Sequence, residues 1–288
     1  MKLGVIFPQL EIGTDPSDIR AFAEAVEGLG YDYLTTFEHV LGVDPARHEG
    51  WRGPYTNESM FHEPFVLFGY LAAVTKRIQL VTGVLVLTQR QTVIVAKQAA
   101  EVDVLSGGRL VLGVGAGWHQ LQIEALGHDF HNRGRRLEEQ IAVLRALWLQ
   151  PVVEFDGRWH HIHGMGINPL PVQQSIPVWL GGGAEPVLKR IARIGDGWLV
   201  NGRPDDSSRA ALARLRDYTK AAGRDPAKLA IAPVVSLSRG DLASQSAEAA
   251  AWRELGATHL QINTMRAGLK SVDQHIKAIT EFKRAMAN

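Results

Sequence analysis

The stretch TVIVAKQAAEVDVLSGGRLVLGVG, residues 92–115, decides the fold of this chain. Its first part, 92–108, predicts a helix that is stopped by two glycines. Its second part, 109–115, is a short continuous apolar run of the kind that forms a buried strand. Buried strands of this kind belong to parallel sheets, in which a crossover helix joins one strand to the next. The stretch therefore predicts one helix–strand repeat of a parallel α/β fold.

The same alternation continues on both sides of this stretch. Helical patterns, the last at 271–287, separate eight predicted strands: 3–7, 33–37, 77–87, 109–115, 176–183, 196–200, 229–237 and 258–263. The segment 151–171 breaks the rhythm and predicts a small hairpin excursion with its turn at 156–157. Eight strand–helix units predict a closed (β/α)8 TIM barrel, formed as a single domain over residues 1–288. A doubly wound open sheet is the alternative, which the lack of a domain-scale linker disfavours.

Composition excludes several classes of function. The formal net charge is +1 and no long run of Lys or Arg occurs, so the chain lacks the basic surface typical of nucleic-acid binding. Cysteine is absent, which excludes disulfides, thiol nucleophiles and Cys-ligated zinc. No apolar run approaches the ~18 residues of a membrane span, and the apolar N-terminal stretch is too short for a signal peptide. We expect a cytoplasmic protein that binds neither nucleic acid nor a membrane.

The glycines that end the fourth predicted strand do not match a dinucleotide-binding loop. That loop reads G-x-G-x-x-G and opens a helix, whereas here Trp118 takes the place of the third glycine and helix signals begin well past it. In a barrel the carboxyl ends of the strands form the active face. We therefore expect Gly115, Ala116 and Gly117 to let a planar ligand approach the backbone, with Trp118 as an aromatic wall. A plain chain turn is the alternative.

Two further strand ends carry unusual glycines. Gly181, Gly182 and Gly183 end the fifth strand where a helix starts, so backbone N–H groups and the helix dipole predict a phosphate site; a flexible turn is the alternative. Gly83, inside an otherwise β-branched strand, predicts a bulge that forms a ligand wall. His161 and His163 would share one face of a strand, as metal ligands do, but no nearby acidic residue completes the set, and we expect no metal.

Several motifs together resemble the bacterial luciferase-like flavin and deazaflavin oxidoreductases, especially the branch that uses the deazaflavin coenzyme F420. The resemblance covers nearly the whole chain and rests on LGVIFPQ (3–9), EHVLGVDP (38–45), the run from Thr82 to Trp118, GRRLEEQIAVLRALW (134–148), PVWLGGG (177–183) and GDGW (195–198). It implies a luciferase-type TIM barrel, usually a homodimer, with the flat ring of the cofactor at the carboxyl ends of the strands.

The resemblance also implies roles for individual residues. A non-prolyl cis peptide at Gly83–Val84 would bulge behind the ring. The strand-four glycines would border the ribityl chain, and Gly181, Gly182, Gly183 and Ala184 would form the phosphate cradle. After strand two, this branch has an acidic residue and a histidine, here Glu38 and His39, although the usual acid is Asp. His39 would hydrogen-bond to the ring or substrate and shuttle a proton, and Glu38 would orient or neutralise it.

The resemblance implies an F420-dependent oxidoreductase that transfers a hydride between the deazaflavin and a small organic substrate. An FMN-dependent monooxygenase of the same architecture is the first alternative, with FMN as the cofactor. A non-enzymatic protein that stores flavin or deazaflavin is the second. The long loop at 39–63 suits a lid over a small-molecule substrate better than it suits a storage protein, and its Trp51 is a candidate wall of the pocket.

Overall fold

A computed structural model describes residues 1–286 of the chain. The strands are β1 (Lys2–Ile6), β2 (Tyr33–Thr36), β3 (Gln79–Thr82), β4 (Leu85–Val86), β5 (Leu110–Gly115), β6 (Val153–Asp156), β7 (His161–Met165), β8 (Val178–Gly181), β9 (Gly197–Val200), β10 (Ala230–Ser236) and β11 (His259–Asn263). Parallel pairing runs in the order β1, β2, β3, β5, β8, β9, β10, β11 and returns to β1, so the sheet closes. β4 continues the direction of β3 along β5. The predicted (β/α)8 barrel is confirmed.

Helices connect the barrel strands. They are α1 (Pro16–Gly28), α2 (Pro64–Val74), α3 (Thr92–Ser106), α4 (Gln120–Ala125), α5 (Arg133–Leu149), α6 (Glu185–Ile194), α7 (Asp206–Ala221), α8 (Leu242–Glu254) and α9 (Val272–Ala285). Helix α3, predicted at 92–108, ends as predicted, because Gly107 adopts the left-handed conformation with φ +67°. The last predicted helix, 271–287, is confirmed up to Ala285, and its position 287 lies outside the described residues.

Helix α4 begins earlier than the sequence predicts. The sequence predicts no helix until well past Trp118, yet α4 begins at Gln120, two residues later. It is one short helix of 6 residues, and His119 caps its first turn by accepting a hydrogen bond from the backbone N–H of Gln122. A helix this short has too few residues to show an apolar period, so its sequence carried no pattern to recognise.

The predicted hairpin is confirmed as the antiparallel pair β6–β7. The carboxylate of Glu139 on α5 holds its turn by accepting hydrogen bonds from the backbone N–H groups of residues 158, 159 and 160, at 2.8, 2.8 and 2.9 Å. Asp156 pairs with His161 across the hairpin at 3.1 Å, and Glu154 pairs with His163 at 3.2 Å, so each imidazole has an acidic neighbour. No group of three or more potential metal ligands occurs within residues 1–286.

Two apolar layers fill the molecule. The larger lies between the strands and the helices, and a smaller inner cluster fills the barrel with Tyr33, Val81, Val111, Trp179, Leu199 and Ala232. At the amino-terminal end of the barrel, the rings of Tyr33, Trp179 and His259 pack edge to face, with centroids 4.9–6.3 Å apart. Gly4 is required beside them, because a Cβ there would be 2.3 Å from Cε2 of Tyr33. None of the described helices is both long and apolar enough to cross a membrane.

Candidate active site

A small pocket opens at the carboxyl ends of β2, β4 and β5. Its walls include His39, Tyr55, Gln89, Trp118, His119 and Gln122. Strand direction brings these residues together, because in a parallel barrel every strand delivers its following loop to the same end. The position agrees with the active face that the sequence predicts.

Val84 fills the centre of this end of the barrel. The peptide bond between Gly83 and Val84 is cis, at the position that the family resemblance implies. A Cβ on Gly115 would be 2.7 Å from Cγ2 of Val84, and a Cβ on Gly181 would be 2.7 Å from Cγ1 of the same residue. These two glycines therefore make room for the Val84 side chain. The bare backbone that we expected to face a ligand at these two positions is covered by Val84 instead.

The main chain beyond Gly181 remains open. Gly182 has φ +110°, and a Cβ on Gly183 would meet no atom within 4 Å. Ala184 begins α6 with no side chain capping the first turn, so this helix start offers N–H groups and a positive dipole end. The indole Nε1 of Trp198 donates to the carbonyl oxygen of Gly182 at 2.7 Å and fixes the loop. This backbone offers the groups that an anion such as a phosphate needs, and phosphate binding here stays a prediction.

The turn after β5 is held from two sides. Gly117 has φ +79°, and a Cβ there would be 2.6 Å from Cγ1 of Val86, so glycine is required for the turn itself. The carbonyl oxygen of Ala116 accepts from the hydroxyl of Thr88 at 2.8 Å, and that of Gly117 accepts from Nε of Arg133 at 3.1 Å. Trp118 is 53% exposed and stands at the rim of the pocket.

Glu38 is engaged by a cation and a backbone amide. Its side chain is 1% exposed and accepts from Nε of Arg90 at 2.6 Å and from the backbone N–H of Val86. Arg90 also binds Glu63, at 2.8 Å. Within residues 1–286, no hydrogen bond joins Glu38 to His39. Glu38 thus ties the loop after β2 to the segment after β4, and a direct role in catalysis stays a prediction.

His39 lies in an aromatic environment that the 39–63 loop supplies. Its ring centroid is 5.3 Å from that of Tyr55, 5.4 Å from that of Phe61 and 5.9 Å from that of His119. The Nε2 atom is buried and has no hydrogen-bond partner. Burial lowers the pKa of His39, and the neighbouring His119 lowers this pKa further. The ring is therefore neutral near pH 7 and free to accept a proton.

The pocket also contains three polar residues that the sequence does not predict there: Gln89, His119 and Gln122. The side-chain oxygen of Gln122 accepts from the backbone N–H of Leu41 at 3.1 Å, and its amide nitrogen donates to the side chain of Gln89. The ring of Trp51 packs against that of His119 in a tilted arrangement, with centroids 4.6 Å apart. The one signal in the sequence is the position of His119, which directly follows Trp118 and the glycines at the end of the fourth predicted strand.

Comparison with known proteins gives a consistent result. The family model described as luciferase-like monooxygenase matches residues 1–286. The uncharacterized protein Rv0953c of Mycobacterium tuberculosis is 35% identical over 269 residues, which cover 90% of each chain. An F420-dependent glucose-6-phosphate dehydrogenase of Amycolatopsis mediterranei is 35% identical over 188 residues, covering 64% of this chain and 53% of the relative.

Solved structures match in fold. An F420-dependent secondary alcohol dehydrogenase in complex with an F420-acetone adduct superposes with a TM-score of 0.79 at 18% identity, covering 100% of this chain and 99% of the other. The monooxygenase RslO1 from Streptomyces bottropensis superposes with a TM-score of 0.78 at 19% identity, covering 100% and 99%. At these identities the likeness concerns the barrel architecture.

Proposed function

The chain belongs to the luciferase-like monooxygenase family, and on that premise we propose that it is an F420-dependent oxidoreductase. It transfers a hydride between the deazaflavin and a small organic substrate. The observation that carries this proposal is the buried, partnerless Nε2 of His39 at the strand ends, within the same barrel face as an open glycine cradle. The relatives named F420-dependent glucose-6-phosphate dehydrogenase support the choice of cofactor.

The residues at the strand ends fit such a cofactor. Gly182, Gly183 and Ala184 would hold its phosphate through backbone N–H groups and the positive end of α6. The apolar side chain of Val84 would support a flat ring from behind, over Gly115 and Gly181. When bound, a deazaflavin exchanges a hydride with the substrate, as nicotinamide does.

The protein's own groups would position the substrate and handle its proton. His39 is neutral, so its Nε2 takes the proton of a substrate hydroxyl in one direction and returns a proton in the other. Tyr55 and Phe61, both from the 39–63 loop, keep water from the ring of His39. The ion pair of Glu38 with Arg90 holds the base of this loop in place.

An FMN-dependent monooxygenase is the second candidate, and the description of the matching family favours it. Flavins react with oxygen, whereas deazaflavins carry hydride only. The pocket residues do not distinguish the two ring systems by charge, so the choice between them requires a binding measurement.

The decisive experiment titrates purified apoprotein with oxidised F420 and, separately, with FMN, by absorbance and fluorescence. We expect F420 to bind at least tenfold more tightly than FMN, which corresponds to about 1.4 kcal/mol. Tighter binding of FMN would overturn the proposal in favour of the monooxygenase. Binding of F420 with no turnover of any alcohol, aldehyde or ketone in a broad screen would instead support a storage protein.

We propose further that the protein acts as a homodimer in the cytoplasm, as the family resemblance implies. Helices α2 and α3 pack on each other and expose apolar side chains, with Val66 at 73% and Ile94 at 52%. Apolar surface of this kind is typical of a subunit contact. Sedimentation equilibrium should give a dimer that Val66→Glu dissociates. A monomer at all concentrations would exclude the dimer.

A further inference from the structure

His119 is a buried polar residue beside His39 that no part of the fold requires to be a histidine. Its side chain is 5% exposed, and it lines the same pocket as His39. The two rings stack at an interplanar angle of 27°. An asparagine or serine would cap α4 equally well, and packing on Trp51 uses only the face of the ring, so neither contact accounts for the Nε2 atom.

The hydrogen bond to Gln122 determines where His119 carries its proton. Nδ1 accepts from the backbone N–H of Gln122 at 3.3 Å, so Nδ1 must be unprotonated. A neutral imidazole has one proton, which is therefore on Nε2. This Nε2–H is buried and has no acceptor within the described residues 1–286. It is a fixed donor that lacks a partner, and such groups are costly to keep unless a ligand satisfies them.

Gln122 fixes the positions of His119 and His39 relative to each other. The backbone N–H of Gln122 binds His119, and the side-chain oxygen of Gln122 binds the backbone N–H of Leu41, two positions after His39. Since Gln122 also binds Gln89, α4 cannot shift without moving the loop that carries His39. The partnerless Nε2 atoms of both histidines therefore belong to one rigid unit.

The electrostatics keep His119 uncharged. Burial lowers its pKa, and the neighbouring His48 lowers that pKa further. The positive end of α4 acts in the same direction. Protonation at Nδ1 would also set an N–H group against the N–H of Gln122 and break the helix cap.

We propose that His119 is a second catalytic residue, whose Nε2–H donates a hydrogen bond to the oxygen atom of the substrate. It keeps its proton throughout, while His39 takes or returns the proton that is transferred. The site therefore selects substrates with a carbonyl or hydroxyl oxygen at the reacting carbon. This assignment rests on the proposed function and names the substrate class for it.

The first test is the tautomer of His119 in the apoprotein, which needs neither cofactor nor turnover. Long-range ¹H–¹⁵N correlation spectra of the full chain labelled at histidine nitrogen, assigned with a His119→Asn sample, report which ring nitrogen is protonated. We expect the neutral Nε2–H form at pH 7. The Nδ1–H form or a charged ring would overturn the proposal.

The second test compares two substitutions, one that keeps the hydrogen-bond acceptor at the position of Nδ1 and one that keeps the donor at the position of Nε2. His119→Asn retains an acceptor at the position of Nδ1 and thus the cap of α4, but it removes the donor at the position of Nε2. His119→Gln reaches the position of Nε2 with an amide N–H. The probes are cyclohexanone and methylenecyclohexane, which share a shape and differ in the carbonyl oxygen, titrated into apoprotein and into protein loaded with oxidised F420.

We expect the wild-type protein to bind cyclohexanone five- to tenfold more tightly than methylenecyclohexane, a ratio typical of about 1 kcal/mol for a buried hydrogen bond. His119→Asn should reduce the ratio to near one, and His119→Gln should restore most of it. A ratio unchanged in His119→Asn would overturn the proposal. Failure of F420 to bind, with the tautomer and the ratio as expected, would remove the proposed function and leave this assignment standing.

Discussion

The side chain of Val84 lies directly over the main chain of Gly181, so closely that a Cβ at residue 181 would be 2.7 Å from Cγ1 of Val84. Gly115 meets the other methyl group of Val84 in the same way. One valine therefore explains two glycines on two different strands, β5 and β8. Glycine is therefore needed for packing at 115 and 181, whereas the backbone at 182 and 183 is open.

Gly181→Ala should destabilise the fold by about 1–3 kcal/mol, because the added methyl overlaps Val84 in a packed interior. Denaturant unfolding followed by circular dichroism measures the loss. Gly183→Ala is the matched control, since its Cβ meets nothing within 4 Å, and it should leave stability unchanged within about 0.5 kcal/mol. Adding Val84→Ala to Gly181→Ala should recover part of the loss; an equal loss in the double variant would refute the contact.

His39→Ala should lower turnover by ~10²-fold or more, because it removes the group that handles the proton. The affinity for F420 should stay within a few fold, since His39 is not part of the phosphate cradle. Steady-state kinetics and F420 titration measure the two effects separately. His161→Ala, on the exposed hairpin, is the control and should behave as wild type. Equal activity in His39→Ala and wild type would exclude His39 from catalysis.

Gly182→Asp should abolish F420 binding, because a carboxylate would stand where the phosphate binds. Gly182 has φ +110°, so any side chain there strains the backbone, and the control must carry the same strain. Gly182→Asn has the shape of Asp without its charge. We expect the Asp variant to bind at least tenfold more weakly than the Asn variant. Equal dissociation constants would place the phosphate elsewhere.

Arg90→Met should destabilise the protein by about 3–5 kcal/mol, because it leaves the carboxylate of Glu38 buried without its cation. Thermal and denaturant unfolding test this. Adding Glu38→Gln removes the buried charge and should restore part of the stability. Arg20→Met breaks an ion pair whose side chains are 59% and 46% exposed, and it should cost less than about 0.5 kcal/mol. A similar cost for both arginines would contradict the assignment.

Stability should fall as the pH is lowered from about 6.5 to 4. Burial lowers the pKa of His275 from its ordinary value of 6.5 to about 4, and His259 behaves in the same way. The unfolded chain binds these protons first, so the stabilising effect is complete above pH 6.5 and is lost on acidification. His275→Asn should reduce the slope by up to about 1.4 kcal/mol per pH unit. An unchanged slope in His275→Asn would refute this.

The barrel could be predicted from the sequence because its signals are local. Most barrel strands are short runs of mainly apolar residues, and helix ends carry their own markers, such as Asp15, which accepts from the N–H of Ser17, and the left-handed Gly107. Helix α4 escaped because tertiary contacts stabilise it. Its 6 residues are held by the His119 cap and by the side-chain bonds of Gln122 to Leu41 and Gln89.

The site was predictable where backbone matters and not where distant side chains meet. Glycine shows in a sequence where the main chain must be open or turned, so Gly117 and Gly182 could be identified. Glu38 and Arg90 are 52 positions apart, and nothing near either residue indicates that they pair. His119 was missed for the same reason, since its significance depends on the loop that brings His39 beside it.

The packed rings of Tyr33, Trp179 and His259 fill the amino-terminal end of the barrel. The two molecules of the proposed reaction would therefore both enter from the opposite end of the barrel, where the pocket opens at the carboxyl ends of the strands.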